Sequence, residues 1–326
     1  MRRVALIYNP ASGQSPGRRA QLISRVQAVF EQAGIGVRAI ATTEPGSAGV
    51  LAQQAVQSGC DTVIACGGDG TAHEVLQGII GTSATLGVIP LGTANALACD
   101  LGLPRSPIKA ARSLLTAQPM RVPAGHVTFQ NKLGQPDSRY FIVAVGVGAD
   151  ALFFSRLDSR MKQRFGYAVY LVEAFRLAFT HHFPLFAAEF TEAAEQAPHR
   201  EMLSELLTVR IGNFGGLLRN LAPGAALNNP RLSVIAVRTR SRMRLLQFML
   251  AVICRRPAYS RHVALFSPVA VECSNPEGAE EKHFVEADGE FLGTLPARIE
   301  LADATVNLLV PAENPLLAAG NKPKQP

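Results

Sequence analysis

Cys66-Gly67-Gly68-Asp69-Gly70-Thr71 gathers three glycines, a carboxylate and a hydroxyl into one short stretch. The apolar run Thr62-Val63-Ile64-Ala65 precedes it, and residues 72–80 follow with helical character. That order reads as buried strand, glycine turn, helix. Glycine lets the backbone turn sharply and approach a ligand with no Cβ in the way. The N–H groups opening the next helix can then receive an anion such as phosphate. A tight turn without a ligand is the alternative. The stretch is neither Gly-x-Gly-x-x-Gly nor Gly-x-x-x-x-Gly-Lys-Ser/Thr, so neither familiar nucleotide pattern applies.

A second stretch with chemical potential is Val285-Glu286-Ala287-Asp288-Gly289-Glu290-Phe291. Its carboxylates recur at period two, so an extended strand would set them on one face. Their mutual repulsion asks for a cation or a purpose. Asp-Gly is equally a common hairpin turn.

The elements that must position the glycine turn are strands at 4–8, 37–41, 61–65 and 85–89. Helices are expected at 17–34, 48–58, 72–80, 96–101 and 108–117. Strands alternating with helices imply parallel βαβ units, whose ligands bind outside the carboxyl ends of the strands. The loops at those ends are Asn9-Pro10-Ala11-Ser12-Gly13, Thr42-Thr43, the glycine turn, and Pro90-Leu91-Gly92-Thr93-Ala94-Asn95. Asn and Thr supply neutral hydrogen bonds and the glycines supply N–H groups, which suits a nucleotide triphosphate held without a P-loop lysine.

Composition shifts near residues 119–123. Strand-like runs follow at 125–129, 140–145, 185–190, 206–211, 232–237, 263–266, 269–273 and 298–301, with helical stretches at 165–180 and 243–255. Mostly strands with few helices predicts an antiparallel sandwich. The expected domains are residues 1–120 and 121–307, with the tail 308–326 packing back on the first.

The chain has 326 residues, 48% hydrophobic and 17% charged, which suits a globular protein with a sizeable core. Its net charge of +7 fits nucleic acid, anionic membrane or a phosphorylated substrate. Arginines 231, 238, 240, 242, 244, 255, 256 and 261 give one segment a charge of +8 around the apolar Leu245 to Ile253. Each basic residue near an anionic membrane contributes about 1 kcal/mol, so this segment could dock there; a core helix with solvated ends is the other reading. Arg156, Arg160, Lys162 and Arg164 form a second basic run. Little aromatic interleaving and no binding motif argue against nucleic acid. The N-terminal apolar run stops at Asn9-Pro10 and reads as a strand, not a signal peptide, and no run nears the roughly 20 apolar residues of a membrane span. Cys60, Cys66, Cys99, Cys254 and Cys273 lack metal-ligand spacing and read as reduced thiols of a cytoplasmic protein. The adjacent His181 and His182 point different ways and read as surface residues.

Asn-Pro-x-Ser-Gly, Gly-Gly-Asp-Gly-Thr-x-x-Glu-Val and Pro-Leu-Gly-Thr-x-Asn, in this order and spacing, resemble the diacylglycerol kinase catalytic domain family. That family includes bacterial soluble lipid kinases and sphingosine kinases. The resemblance implies a Rossmann-like α/β nucleotide domain, a β-rich lipid-binding domain and a cleft between them. It implies ATP and Mg²⁺ as cofactors. Asn9, Ser12, Gly13, Thr42, Gly67, Gly68, Asp69, Gly70, Thr71, Glu74, Gly92, Thr93 and Asn95 would bind the nucleotide. It brings Gly146-Val147-Gly148-Ala149-Asp150 to the cleft border; a bulge where a strand meets a helix, with Asp150 as its N-cap, is the equal alternative. It also places the family's catalytic carboxylate in Asp-Gly-Glu, with Asp288 the first choice of base and Glu290 the second.

The chain departs from the family pattern at several positions. Ala96 and Pro123 stand where relatives carry Asp, which weakens an acidic, water-mediated magnesium network and leaves Asp69 as the candidate acting through water. Asn228-Asn229-Pro230 replaces an acidic turn that holds a structural cation, so that site is expected to be empty. His73 stands where Asn is frequent.

The expected function is transfer of the γ-phosphate of ATP to a lipid hydroxyl by a cytoplasmic protein touching anionic membrane, with a homodimer left open. A kinase of a soluble acceptor, as in NAD kinases, and a non-catalytic nucleotide sensor are the alternatives.

Overall fold

The structure is a computed structural model. It describes residues 1–10, 16–148, 184–192, 197–215, 221–241, 243–244, 247–248, 251, 262–278 and 282–320. The chain forms two compact units, one of Met1–Ala124 with the chain from Asp303 onward, the other of Gly125–Ala302.

The first unit alternates strand and helix: β1 (Arg3–Tyr8), α1 (Pro16–Gln32), β2 (Gly36–Ala41), α2 (Ser47–Gln57), β3 (Thr62–Gly67), α3 (Asp69–Ile79), β4 (Thr85–Pro90), α4 (Ala96–Asp100) and α5 (Pro107–Leu115). The four strands lie parallel in the order β4-β3-β1-β2. Val4, Ala5, Leu6 and Ile7 are all buried, as are the residues from Thr62 to Cys66. Consecutive buried residues mark strands covered on both faces, which is why these runs read as continuous rather than alternating. Helices α2 and α3 touch through glycines: a Cβ on Gly78 would lie 2.0 Å from the Gly49 carbonyl oxygen. α3 starts at Asp69, three residues before the expected start, so the glycine turn is itself the first turn of the helix.

The second unit is β-rich and its strands pair antiparallel. It contains β6 (Pro136–Phe141), β7 (Ala144–Gly148), β8 (Phe186–Thr191), β9 (His199–Leu203), β10 (Glu205–Val209), β11 (Ser233–Val237), β12 (Val263–Phe266), β13 (Ala270–Ser274) and β14 (Phe284–Ala287). Two long strands, β5 (Gln118–Gln130) and β15 (Glu290–Val310), run through both segments of chain. One set of neighbours reads β12-β11-β10-β7-β14-β15; the other joins β15 to β13, β8 and β9, and to β5 and β6. Phe186, Ala188 and Phe190 of β8 and Val271 and Cys273 of β13 alternate inward to a shared core with Phe141, Val145, Val285 and Ile299. At the far end of β15, Asn307 and Leu308 pair parallel with Thr85 and Leu86, adding a strand beside β4 in the first unit. Pro315–Gly320 forms a final short helix, α6.

Two expectations need correction. The run 140–145 is not one strand: β6 stops at Phe141 and β7 begins at Ala144. The backbone N–H groups of Ile142 and Val143 leave the ladder to donate to the Asp288 carboxylate. β9 and β14 are additional strands. Of the two readings left open for residues 285–291, the structure takes the Asp-Gly hairpin: the chain reverses between Ala287 and Glu290, so Glu286, Asp288 and Glu290 do not share a face. The expected helix 165–180, the basic run at 156–164, His181-His182, and Arg242, Arg255, Arg256 and Arg261 lie outside the described residues. Of the expected helix 243–255, the described positions 243, 244, 247, 248 and 251 are helical.

Candidate functional site

Parallel pairing brings the carboxyl ends of four strands to one edge of the first unit. Tyr8 is in register with Ala41 on one side and Cys66 on the other, and Gly67 with Pro90. Asn9, Thr42, the turn Gly67–Thr71 and the loop Leu91–Asn95 therefore line the same edge. Thr42 N–H donates to the Tyr8 carbonyl at 2.9 Å, and Leu91 N–H to the Gly67 carbonyl at 2.8 Å. Ser12 and Gly13 lie outside the described residues.

Glycine is required here by close approach. A Cβ on Gly92 would lie 2.5 Å from the Gly68 Cα, and one on Gly67 would lie 2.3 Å from the Thr71 hydroxyl. Asn95 closes the second loop from a left-handed conformation, φ 50°. Its Oδ1 accepts the Gly92 N–H at 2.9 Å and its Nδ2 donates to the Gly92 carbonyl at 2.7 Å. The amides opening α3 and the positive end of its dipole thus face a floor made of bare backbone, a cradle suited to phosphate. Asp69 sits in the first turn, and Leu97 N–H approaches its carboxylate at 3.4 Å. Cys66 beside it is buried, and burial pushes its thiol far up, so it supplies no thiolate at neutral pH.

Glu74 is occupied with structure. Its carboxylate accepts the N–H groups of Gly46 and Ala48, both at 3.0 Å, and so caps α2 from α3. This sets Glu74 apart from the other residues that the resemblance assigns to the nucleotide. His73 is buried in the same helix. Ala96 is buried at the start of α4, and Pro123 is half-buried in β5.

In the second unit, Asp288 and Gly289 both take positive φ, 51° and 83°, as a type I′ hairpin turn requires. Asp288 is only 4% exposed. One carboxylate oxygen accepts the N–H groups of Val143 at 2.8 Å and Ala144 at 3.0 Å, and the other that of Ile142 at 3.1 Å. Its own N–H donates to the Ala144 carbonyl at 2.9 Å. Glu286, also buried, accepts the Gly289 N–H at 2.8 Å. Glu290, one step past the turn, is exposed. Gly146-Val147-Gly148 continues as β7, while Ala149 and Asp150 lie outside the described residues.

Sequence reasoning missed Arg210, which is 1% exposed. Its guanidinium donates to the carbonyls of Leu227 at 2.7 Å, Asn229 at 2.9 Å and Arg231 at 3.2 Å. These belong to the loop around Asn228-Asn229-Pro230, so a side-chain cation sits on the turn where no acidic metal ligand remains. Burial pushes the Arg210 guanidinium down to about 10. Its signal in the sequence is a charged residue inside the apolar run 206–211.

Among the described residues, no three His, Cys, Asp or Glu side chains group as a metal site, and no helix is long and apolar enough to cross a membrane.

Residues 3–127 match the diacylglycerol kinase catalytic domain, and residues 143–310 match the YegS C-terminal NAD kinase beta sandwich-like domain. The chain is 27% identical over 320 residues to a diacylglycerol kinase of Bacillus subtilis, covering 96% of this chain and 98% of that one. It is 28% identical to a diacylglycerol kinase of Mycobacterium tuberculosis, covering 95% of each. The solved structure of a diacylglycerol kinase from Bacillus anthracis superposes with a TM-score of 0.66 at 19% identity, covering 94% of this chain and 96% of that one, and shares the fold. Two consecutive domain matches over most of the length, on the two units seen in the structure, make this chain a phosphotransferase belonging to the ATP-dependent bacterial lipid-kinase family of the diacylglycerol kinase and YegS type.

Proposed function

We propose that the protein transfers the γ-phosphate of ATP to the hydroxyl of a lipid, of diacylglycerol or sphingoid type. The observation that carries the nucleotide half is the edge where Gly68 and Gly92 meet backbone to backbone under the first turn of α3. A triphosphate fits there, with phosphate oxygens on the N–H groups around Gly67–Thr71 and Gly92, and with Asn9, Thr42, Thr93 and Asn95 as neutral partners. Asp69 fits a Mg²⁺ held mainly by the phosphates, since the described residues offer no fuller ligand set. That ion would neutralise charge on the transferring group.

The two carboxylates of Asp-Gly-Glu divide the remaining work. Asp288 is committed to three amides, so its electron pairs are engaged and its position is fixed. Glu290 is exposed on the strand leaving that fixed turn. Glu290 is thus the better base: it takes the proton as the lipid oxygen bonds to the γ-phosphorus and the bond to the ADP oxygen breaks. Asp288 is then a positioning residue. Lipid as acceptor is supported by the relatives described as diacylglycerol kinases and by the basic, apolar segment at 231–261. The NAD kinase-like description of the second domain favours a soluble acceptor as the second reading.

The test is ATP turnover with Mg²⁺ against lipids in mixed micelles and against NAD in solution, for the wild type and Glu290→Gln. Transfer to a lipid, lost by at least 100-fold in Glu290→Gln, is the expected result. Transfer to NAD alone overturns the lipid assignment, and an active Glu290→Gln overturns the base.

A further inference from the structure

The loops that line the nucleotide edge are poor in positive charge. Residues 8–10, 42–46, 67–71 and 91–95 contain Glu44 and Asp69 but no Lys or Arg. A triphosphate brings several negative charges, and backbone amides with one helix dipole meet only part of them. Charge must therefore come from outside the loops.

Arg19 stands in the first turns of α1, the helix that begins just beyond the end of β1. It is half-buried, and its Nη2 donates to the Leu91 carbonyl at 3.4 Å. The Leu91 N–H in turn donates to the Gly67 carbonyl. Burial pushes the guanidinium down from its ordinary value, and the neutral Cys66 thiol lies near it. Cys66 directly precedes the glycine turn. The guanidinium therefore reaches the first residue of the loop after β4, and that residue is itself tied to the end of β3. All of these residues belong to the first unit.

We infer that Arg19 binds the phosphates beyond the first in the nucleotide, supplying from α1 the positive charge that a P-loop lysine supplies elsewhere. This rests on the nucleotide reading proposed above. A guanidinium suits this role because it stays charged when partly buried, and its planar fork matches two phosphate oxygens at once. Lys109 and Arg112 of α5 are basic too, but no contact joins them to these loops among the described hydrogen bonds. Arg19 would thus make the site distinguish ATP and ADP from AMP, which the neutral Asn and Thr partners cannot do by charge.

The experiment is equilibrium binding of ATP, ADP and AMP to the full chain by calorimetry, for wild type, Arg19→Gln and Arg19→Lys, with a thermal melt of each. The expected result is a loss of at least tenfold in ATP and ADP affinity in Arg19→Gln, with AMP affinity changed less than twofold. Arg19→Lys should recover part of the loss, because it keeps the charge and gives up the fork. If ATP and AMP weaken equally, or if Arg19→Gln binds ATP as the wild type does, the inference fails and the nucleotide site stands. If the wild type binds none of the three, both fail. If Arg19→Gln melts early, the ATP-to-AMP affinity ratio of Arg19→Lys decides, a wild-type ratio overturning the inference.

Discussion

Gly92 faces Gly68 so closely that one added carbon on Gly92 would lie 2.5 Å from the Gly68 Cα. Real Cβ atoms do not approach backbone at that distance, so the loop would have to move. Gly92→Ala should therefore open the Leu91–Asn95 loop away from the glycine turn. Overpacking of this kind costs about 1–3 kcal/mol. ATP affinity should fall at least tenfold, as read by calorimetry, and the thermal midpoint should fall by a few degrees alongside it.

Asp288 and Glu290 should separate cleanly by readout. Asp288→Ala leaves three buried amides without their acceptor, and each such loss costs about 1–3 kcal/mol. The denaturation midpoint should drop by several degrees, with activity falling alongside it. Glu290→Gln should leave the midpoint within about one degree, because exposed substitutions rarely shift stability, while abolishing transfer.

Arg210→Met should destabilise the second unit by about 1–3 kcal/mol, since it removes the donor from three loop carbonyls and leaves that of Leu227 buried without it. By the same logic, a chelator should leave the thermal midpoint of the wild type unchanged. The cation on the Leu227–Arg231 loop is covalently part of the chain. A midpoint that falls in EDTA and is restored by Mg²⁺ would show that a metal holds this loop after all.

Glu201 gives the second unit an acid-sensitive point. Burial raises its carboxyl, but Arg238 and His199 together hold it below its ordinary value of 4.5. A carboxyl depressed in the folded state stabilises the fold above its unfolded pKa, and that gain is lost as pH falls through the folded value. Stability should therefore decline below about pH 4.5. Glu201→Gln should flatten that decline and lower stability at pH 7, as followed by urea midpoints across pH.

Much of the first unit was legible because its strands are covered on both faces. Val4 to Ile7 and Thr62 to Cys66 announce themselves as unbroken apolar runs, and glycine marks where they end. The second unit was harder to read. Nothing local interrupts Tyr140 to Val145; the break is made by a carboxylate at Asp288, which the chain brings in from far along the sequence. β14 is short and carries a buried Glu286, so it lacks a strand's usual apolar signature. Glu74 shows the limit of reading motifs. The glutamate is where the family pattern puts it, yet its partners are Gly46 and Ala48, and only the packing of two helices reveals that.

The parallel placement of Asn307 and Leu308 beside Thr85 and Leu86 bears on how the protein is made. During synthesis, β4 leaves the ribosome with one side unpaired, and residues 125–302 must follow before its neighbour exists. An unpaired strand edge invites pairing with other chains. The domain translated first is thus the last to be completed. A nascent chain halted before residue 303 would present an unpaired β4 edge.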